Sequence, residues 1–358
     1  MNILAFESSC DETSASVVAR NPNGSFTVKS NIIASQIETH RLYGGVVPEI
    51  ASRAHTEAIS RITYEALAEA KANLSDIGLI AVTANPGLIG ALLVGVNFAK
   101  GLAAANKIPL VAVDHIKGHI AACYLCEPAP KPPFLALAVS GGHTAIYKVD
   151  DYTSFRMIGT TRDDAIGEAF DKIGRIIGIP YPAGRGFDEL SQRGFELALG
   201  KESGFQKYKK SDAYKDKEMA LPSPALSDGS LDFSFSGLKT AAINLLHRFE
   251  QSGRTLPREL FAARYTYEAV EAVAKKISAA LTENPGLDLA VAGGVAANSH
   301  LRKRLAEVTE QAGARLFVPT LSLCGDNAAM IAAQGYYEYA AGNTADSSLN
   351  ASALDSIL

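Results

Sequence analysis

The chain has no tryptophan, four cysteines in 358 residues, and no surplus of positive charge: 34 Lys and Arg face 38 Asp and Glu, a formal net charge of −4. Four thiols cannot staple a chain of this length, which excludes a disulfide scaffold and points to a reducing compartment. Cys123-Tyr-Leu-Cys126 is a lone C-x-x-C, and Cys10 and Cys324 stand apart, so helix packing is the expected role of the pair. The acidic balance excludes a globally basic nucleic-acid binder; any RNA contact needs a local patch or a partner. The start, Met1-Asn-Ile-Leu-Ala-Phe-Glu7, lacks a charged n-region and a cleavage site and reads as a first strand. The longest apolar stretch, 87–105, contains Asn97, Lys100 and four glycines, which favours a buried helix over a membrane span. A cytoplasmic location without membrane contact is expected. Also missing are G-x-x-x-x-G-K-[ST] and a clean G-x-G-x-x-G, so neither the P-loop nor the Rossmann fingerprint applies.

What is present is a core and a repeat. A hydrophobic content of 47% supports a large interior, and the length suggests two domains. Residues 2–7, 15–20 and 26–34 read as three strands separated by turn-rich Ser8-Ser-Cys-Asp11 and Asn21-Pro-Asn-Gly24. Ile50, Ala54, Ala58, Ile62 and Ala66 then mark a helix over 48–71. A strand (79–83), a helix (90–105), a strand (110–113) and a helix bearing two histidines follow. Pro128-Ala-Pro-Lys-Pro-Pro133 is a stiff spacer. Beyond it the plan restarts: strand 134–140, a Gly141-Gly142 turn, strand 143–149, helices over 163–177 and 187–199. A lysine-rich irregular insertion at 200–231 precedes helices over 237–250 and 260–281, strand 287–292, and helices over 298–312 and 325–340. The pattern predicts an α/β protein of mixed sheets covered by helices. One lobe is predicted at 1–128 plus 326–358 and a second at 129–325.

The most informative stretch is His115-Ile-Lys-Gly-His119. Positions i and i+4 share a helix face, so both imidazoles can reach one metal ion, although a packed or surface pair has the same spacing. No Glu follows the first His, which departs from the H-E-x-x-H of zinc proteases. A third ligand must come from elsewhere, and Asp326 in Leu323-Cys-Gly-Asp-Asn327 is the first candidate. Three glycine turns end strands: Asn85-Pro-Gly-Leu-Ile-Gly90, Ser140-Gly-Gly-His-Thr144 and Gly293-Gly-Val-Ala-Ala-Asn298. Each reads either as a tight turn or as a set of free N–H groups for a phosphate. With the duplicated plan, they favour a nucleotide held between two lobes. Asp171 and Asp188 lie on helix-like segments nearby, as ribose acceptors or as solvated carboxylates.

Together these stretches, with Glu7-Ser-Ser-Cys-Asp-Glu-Thr13, Gly44-Gly-Val-Val-Pro-Glu-Ile-Ala-Ser-Arg-Ala-His55, Gly167-Glu-Ala-Phe-Asp-Lys172 and Phe233-Ser-Phe-Ser-Gly-Leu-Lys-Thr240, resemble the universal tRNA threonylcarbamoyladenosine transferase family in its bacterial form. The resemblance spans about residues 1–340. It implies a duplicated actin-like ATPase fold of the Hsp70 and sugar-kinase type. It implies transfer of threonylcarbamoyl from threonylcarbamoyl-AMP to N6 of adenosine 37 in tRNAs reading codons that begin with A. Metal ligands His115, His119 and Asp326 are implied, with Fe(2+) the usual ion and zinc or magnesium as alternatives. Ser140, Gly141 and Gly142 would form the substrate-phosphate turn, with Val139 and His143 also binding substrate; Asp171, Gly184, Asp188 and Asn298 would hold the nucleotide part. The implied partners are tRNA, a paralogous non-catalytic subunit and a small P-loop ATPase subunit. No general base is identified. Two departures stand out: Lys117 inside the histidine motif, and Tyr181-Pro-Ala-Gly184 where the family has Tyr-Pro-Gly-Gly. An actin-like ATPase or sugar kinase, and a metalloprotease, are the competing readings.

Overall fold

Strands β1 (Asn2–Glu7), β2 (Glu12–Arg20) and β3 (Phe26–Ser35) form an antiparallel meander, and β4 (Ile77–Asn85) and β5 (Leu110–Asp114) extend it in parallel from β1. The order is β3-β2-β1-β4-β5. The second half repeats it. Strands β6 (Phe134–Val139), β7 (Thr144–Val149) and β8 (Phe155–Thr160) form the meander, and β9 (Leu289–Ala292) and β10 (Leu316–Phe317) add in parallel, giving β10-β9-β6-β7-β8. This computed structural model describes the chain except residues 201–203, 225, 227 and 355–358. Parts of the expected insertion and the end of the C-terminal tail thus lie outside the described residues.

Each sheet is covered on both faces, which explains why its central strands read as nearly unbroken apolar runs. Alternate side chains go to opposite layers. On one face of the first sheet, Leu4, Phe6, Val17, Ile80 and Val82 pack with Ile59, Ile62, Val96 and Ala99 of the helices Pro48–Glu69 and Ile89–Asn106. The latter helix meets the length and apolarity of a membrane span. On the other face, Ile3, Ala5, Leu79, Ala81 and Val113 pack with Met330 and Ile331 of the helix Ala328–Ala340. The second sheet sends Leu135, Leu137 and Val139 towards the helices Ile166–Ile176 and Arg258–Glu283. It sends Phe134, Ala136 and Ala138 towards Ile116 and Ile120 of the helix His115–Ala121. The histidine helix and the last helix therefore form one layer between the two sheets. Burying a side chain such as Ile331 or Ile116 contributes about 1.5–3 kcal/mol, so the layer that carries the histidines is also a main source of cohesion between the two sheets.

Three details depart from the sequence reading. Strands β8 and β10 were not foreseen: β8 is half-buried and interrupted by Arg156, and β10 has only two residues. The helix expected at 187 starts at Gly184. The 200–231 region is not wholly irregular, since Phe205–Lys210 forms a 3-10 turn whose Phe205 and Tyr208 are buried.

Candidate active site

Asp114 sets up the histidine helix. Its Oδ1 accepts from Ile116 N at 2.8 Å and Lys117 N at 3.1 Å, capping the first turn. Asn85 Nδ2 holds its other oxygen at 2.7 Å. His115 and His119 then stack edge to face, ring centroids 4.5 Å apart, both buried. His115 Nδ1 lies 3.0 Å from Glu7 Oε2 and 3.2 Å from Ser9 Oγ, which turns its Nε2 the other way. A carboxylate on the far ring nitrogen is the arrangement that orients a metal-binding imidazole.

The third group arrives through packing. A Cβ on Gly118 would stand 2.6 Å from Ile331 Cδ1, so the glycine in the histidine motif lets the last helix approach. Asn327 caps that helix, accepting from Met330 N at 3.1 Å, and this places Asp326 above the imidazoles. Asp326 Oδ1 is 3.6 Å from His115 Nε2 and 3.2 Å from His119 Nε2. The three donor atoms lie within 4.8 Å of one another. A tetrahedral ion bound at about 2.1 Å holds its ligands roughly 3.4 Å apart, so the spacing fits one ion. Among the described residues, neither ring nitrogen of buried His119 has a hydrogen-bond partner. The His119–Asp326 approach is close but misaligned for a hydrogen bond, and an ion between them would satisfy it.

The local field favours a cation. Burial opposes a charge on His115, but Glu7 and Asp326 outweigh it and raise its pKa to about 9. Burial likewise opposes the Asp326 carboxylate, and His115 and His119 hold it well below the usual range. Burial, then Asp326 and Asp11, push Glu12 up to about 8. Carboxylates gathered to this density are what a bound divalent ion relieves. Lys117 takes no part: its Nζ donates to Thr153 O at 3.1 Å and lies 3.5 Å from Glu338.

The Ser140–His143 turn of the second sheet faces this group. Ser140 N donates to His143 O at 2.8 Å, and Ser140 Oγ accepts from His143 N at 3.1 Å. Gly141 and Gly142 are exposed, with open space where a Cβ would stand. Two other glycines brace the turn: a Cβ on Gly167 would lie 2.4 Å from Ser140 O, and one on Gly293 2.3 Å from Val139 O. Burial, then His115 and His119, push His143 down to about 4, which leaves it a neutral donor at physiological pH.

Three of the four nucleoside candidates are already engaged inside the fold. Asp171 Oδ1 accepts from Ala183 N at 2.7 Å, and burial raises its pKa against that bond. Asp188 accepts from Ser299 N and Ser299 Oγ, each at 3.2 Å to Oδ1. Asn298 caps the helix Ser299–Ala312 through His300 N and Leu301 N. Gly184 opens the helix Gly184–Leu199 into free space. Ala183 sits at φ −78°, a conformation any residue adopts, with its methyl in the space left by Gly174, where a Cβ would be 2.3 Å away. The Ala183 departure thus leaves the loop unstrained.

The model of the family described as tRNA N6-adenosine threonylcarbamoyltransferase matches residues 27–333. Curated proteins of that name from Clostridium botulinum (strain 657 / Type Ba4) and Moorella thermoacetica are each 46% identical to the chain, over 98% of it and 96% and 95% of their own lengths. The chain belongs to this family. It is a transferase that forms N6-threonylcarbamoyladenosine in tRNA, and that membership sets aside the metalloprotease and sugar-kinase readings. Its fold is actin-like. Full-length HypF in its phosphate- and nucleotide-bound form superposes with a TM-score of 0.56 at 15% identity, over 93% of this chain and 45% of that one. Component A of the Acidaminococcus fermentans (R)-2-hydroxyglutaryl-CoA dehydratase gives 0.51 at 13%, over 95% and 99%.

Sequence reasoning missed several residues that build the candidate site. Glu7 is fully buried, accepts from Ser9 N and Thr83 Oγ1 at 2.6 Å each, and orients His115. A carboxylate ending an otherwise apolar strand was the available signal. Asp114 and the bracing pair Gly167 and Gly293 were legible as a helix cap and as glycines, but not in these roles. The cysteines are free: Cys123 and Cys126 point at main-chain carbonyls of Val291, Phe317 and Val318.

Proposed function

We propose that the chain transfers threonylcarbamoyl from threonylcarbamoyl-AMP to N6 of adenosine 37 in tRNAs that read codons beginning with A. The observation that carries this is the convergence of His115, His119 and Asp326 opposite the Ser140–His143 turn, between the lobes. In the reaction the N6 amine forms a bond to the carbamoyl carbon and gives up a proton to solvent, the bond from that carbon to the phosphate oxygen breaks, and AMP departs. The amides of Gly141 and Gly142, with Val139, Ser140 and neutral His143, hold the departing phosphate; Asp171, Gly184, Asp188 and Asn298 flank the nucleoside. Two imidazoles and one carboxylate suit iron(II), with zinc or magnesium as alternatives. A bound ion would supply Lewis acidity and an anchor for donor oxygens. No side chain is assigned as general base; an exocyclic amine is a weak nucleophile, so orientation carries much of the barrier reduction. We place 1–128 with 326–358 in one lobe and 129–325 in the other, and the activity in the cytoplasm. A paralogous non-catalytic subunit and a small P-loop ATPase subunit complete the system. The test is transfer of labelled threonylcarbamoyl from its adenylate to tRNA by the purified chain with those subunits. Adenylate turnover without labelled tRNA would refute it.

Asp171→Ala should weaken adenylate binding by about 1–3 kcal/mol if the carboxylate accepts a buried ribose hydroxyl. Asp171→Asn keeps an acceptor for Ala183 N, so calorimetry on both variants separates ribose contact from loop support. Equal affinity in all three proteins would return Asp171 to a loop-holding role alone.

The insertion offers a local basic surface for tRNA: Lys207, Lys209, Lys210, Lys215 and Lys217, with Arg302, Lys303 and Arg304 on the neighbouring helix. Part of this set is engaged within the protein. Arg304 Nε pairs with Glu271 at 2.6 Å, and Arg302 holds Ala296 O, Pro319 O and Cys324 Sγ. Lys209 and Lys210 are exposed on the 3-10 turn with Lys207. Charge reversal at these three should lower tRNA affinity and flatten its salt dependence, by about 0.7–0.9 of slope for each phosphate no longer neutralised, with adenylate binding unchanged. An unaltered salt slope would move the footprint elsewhere.

A further inference from the structure

The strap between β3 and the helix Pro48–Glu69 is tied at its foot to the cleft. Gln36 N donates to Asp11 O at 3.0 Å, and Ser35 Oγ donates to Glu12 Oε1 at 3.0 Å. Buried His40 closes the strap on itself, Nδ1 accepting from Val47 N at 3.3 Å and Nε2 facing Gln36 Oε1 at 3.1 Å. From this closed loop two contacts cross to the other lobe: Arg41 Nε donates to Tyr181 O at 3.1 Å, and Arg175 donates to Gly44 O. Gly44 turns the chain at φ +70°. Between the crossings stand Leu42 and Tyr43, 83% and 60% exposed. A loop pinned at its foot, its middle and both flanks thus holds two large apolar side chains in water at the mouth of the site. Ile176, also exposed, follows Arg175 on the opposite bank.

A target adenine must leave its stack to reach the space between Asp326 and the Ser140 turn, and its neighbours then lose a stacking partner. An exposed ring on a fixed backbone replaces that partner at little entropic cost. The flanking groups fit the same ligand: Arg41 and Arg175 each spend a single N–H on a main-chain carbonyl, which leaves the guanidinium further donors for a phosphate oxygen. Arg41 also pairs with Glu38 at 2.8 Å, an exposed contact of small strength. We propose that Tyr43, flanked by Leu42, Arg41 and Arg175, is the platform on which the nucleotide beside the modified adenosine stacks, with the strap forming the rim through which the base enters. This rests on tRNA adenosine being the acceptor.

The absence of tryptophan makes a direct test available. In Tyr43→Trp the only indole of the chain reports on the apex. An anticodon stem-loop RNA should quench its emission with the same midpoint as RNA binding measured by filter retention, whereas AMP should not. Tyr43→Ala should raise the Kd for that RNA about tenfold, with Tyr43→Phe close to wild type and AMP affinity unchanged in all. RNA that binds without touching the indole signal, or equally well to Tyr43→Ala, overturns the platform and leaves the transferase reading standing. An indole that answers to the paralogous subunit but not to RNA assigns the apex to a protein interface and overturns it too. Failure of wild type to bind any stem-loop even with the two further subunits present would remove the acceptor reading, and the platform with it.

Discussion

His119→Ala should abolish both metal retention and transfer to tRNA while leaving the fold intact. His119 supplies an Nε2 that faces Asp326 at 3.2 Å and, among the described residues, has no hydrogen-bond partner, so its removal deletes a ligand and breaks no hydrogen bond. Loss of electrostatic stabilisation at a developing charge typically costs about 10²–10³ in rate, and a two-ligand remnant should retain well under about a tenth of the ion after dialysis. The checks are elemental analysis, the rate of threonylcarbamoyl transfer, and AMP binding. AMP affinity should persist, because the Ser140 turn and Asp171 are untouched. Full metal content in His119→Ala would show that these three residues do not hold the ion. Lys117→Ala is the matched control, since Lys117 points to Thr153 and Glu338.

Gly293→Ala and Gly294→Ala should differ sharply although the residues are adjacent. Gly293 sits at φ +95°, and its added Cβ would meet Val139 O at 2.3 Å. Left-handed strain of about 1–2 kcal/mol and overpacking of about 1–3 kcal/mol add there. Gly294 has open space around the same position, so its change should stay within about 0.5 kcal/mol. Thermal unfolding should show a drop on the order of 10 °C for Gly293→Ala and little for Gly294→Ala. Because Val139 leads into Ser140, the first variant should also lose AMP affinity when assayed below its transition. Equal melting temperatures would mean that β6 and the Gly293 turn yield without resistance.

Local patterns in the chain carried much of this. The i, i+4 spacing of His115 and His119 places both rings on one face wherever that helix sits. The apolar runs of β1, β4, β6 and β9 identify strands buried on two faces, and the restart after Pro133 announces the second sheet. Where local signals were thin they failed: β8 carries polar residues and half-exposed faces, and β10 is two residues long. Gly141 and Gly142 were readable as a turn, but a turn does not reveal what braces it. Gly167 and Gly293 do so only because two separate elements close on neighbouring carbonyls, those of Ser140 and Val139.

By itself the sequence determined the family, the duplicated plan and the identity of the histidine pair, since all three are written in contiguous motifs or short periodicities. Tertiary structure alone decided that Glu7, 108 residues before His115, orients that ring. It alone seated Asp326 over the pair, through the close approach of Gly118 to Ile331. It also showed that Asp171, Asp188 and Asn298 support loops and helix ends, and that Tyr43 stands exposed between the Arg41–Tyr181 and Arg175–Gly44 contacts. The physical reason is one of range. Backbone geometry correlates residues over a few positions, whereas a site assembled between two sheets depends on which side chains are small enough, and which polar groups well enough paired, for distant elements to meet.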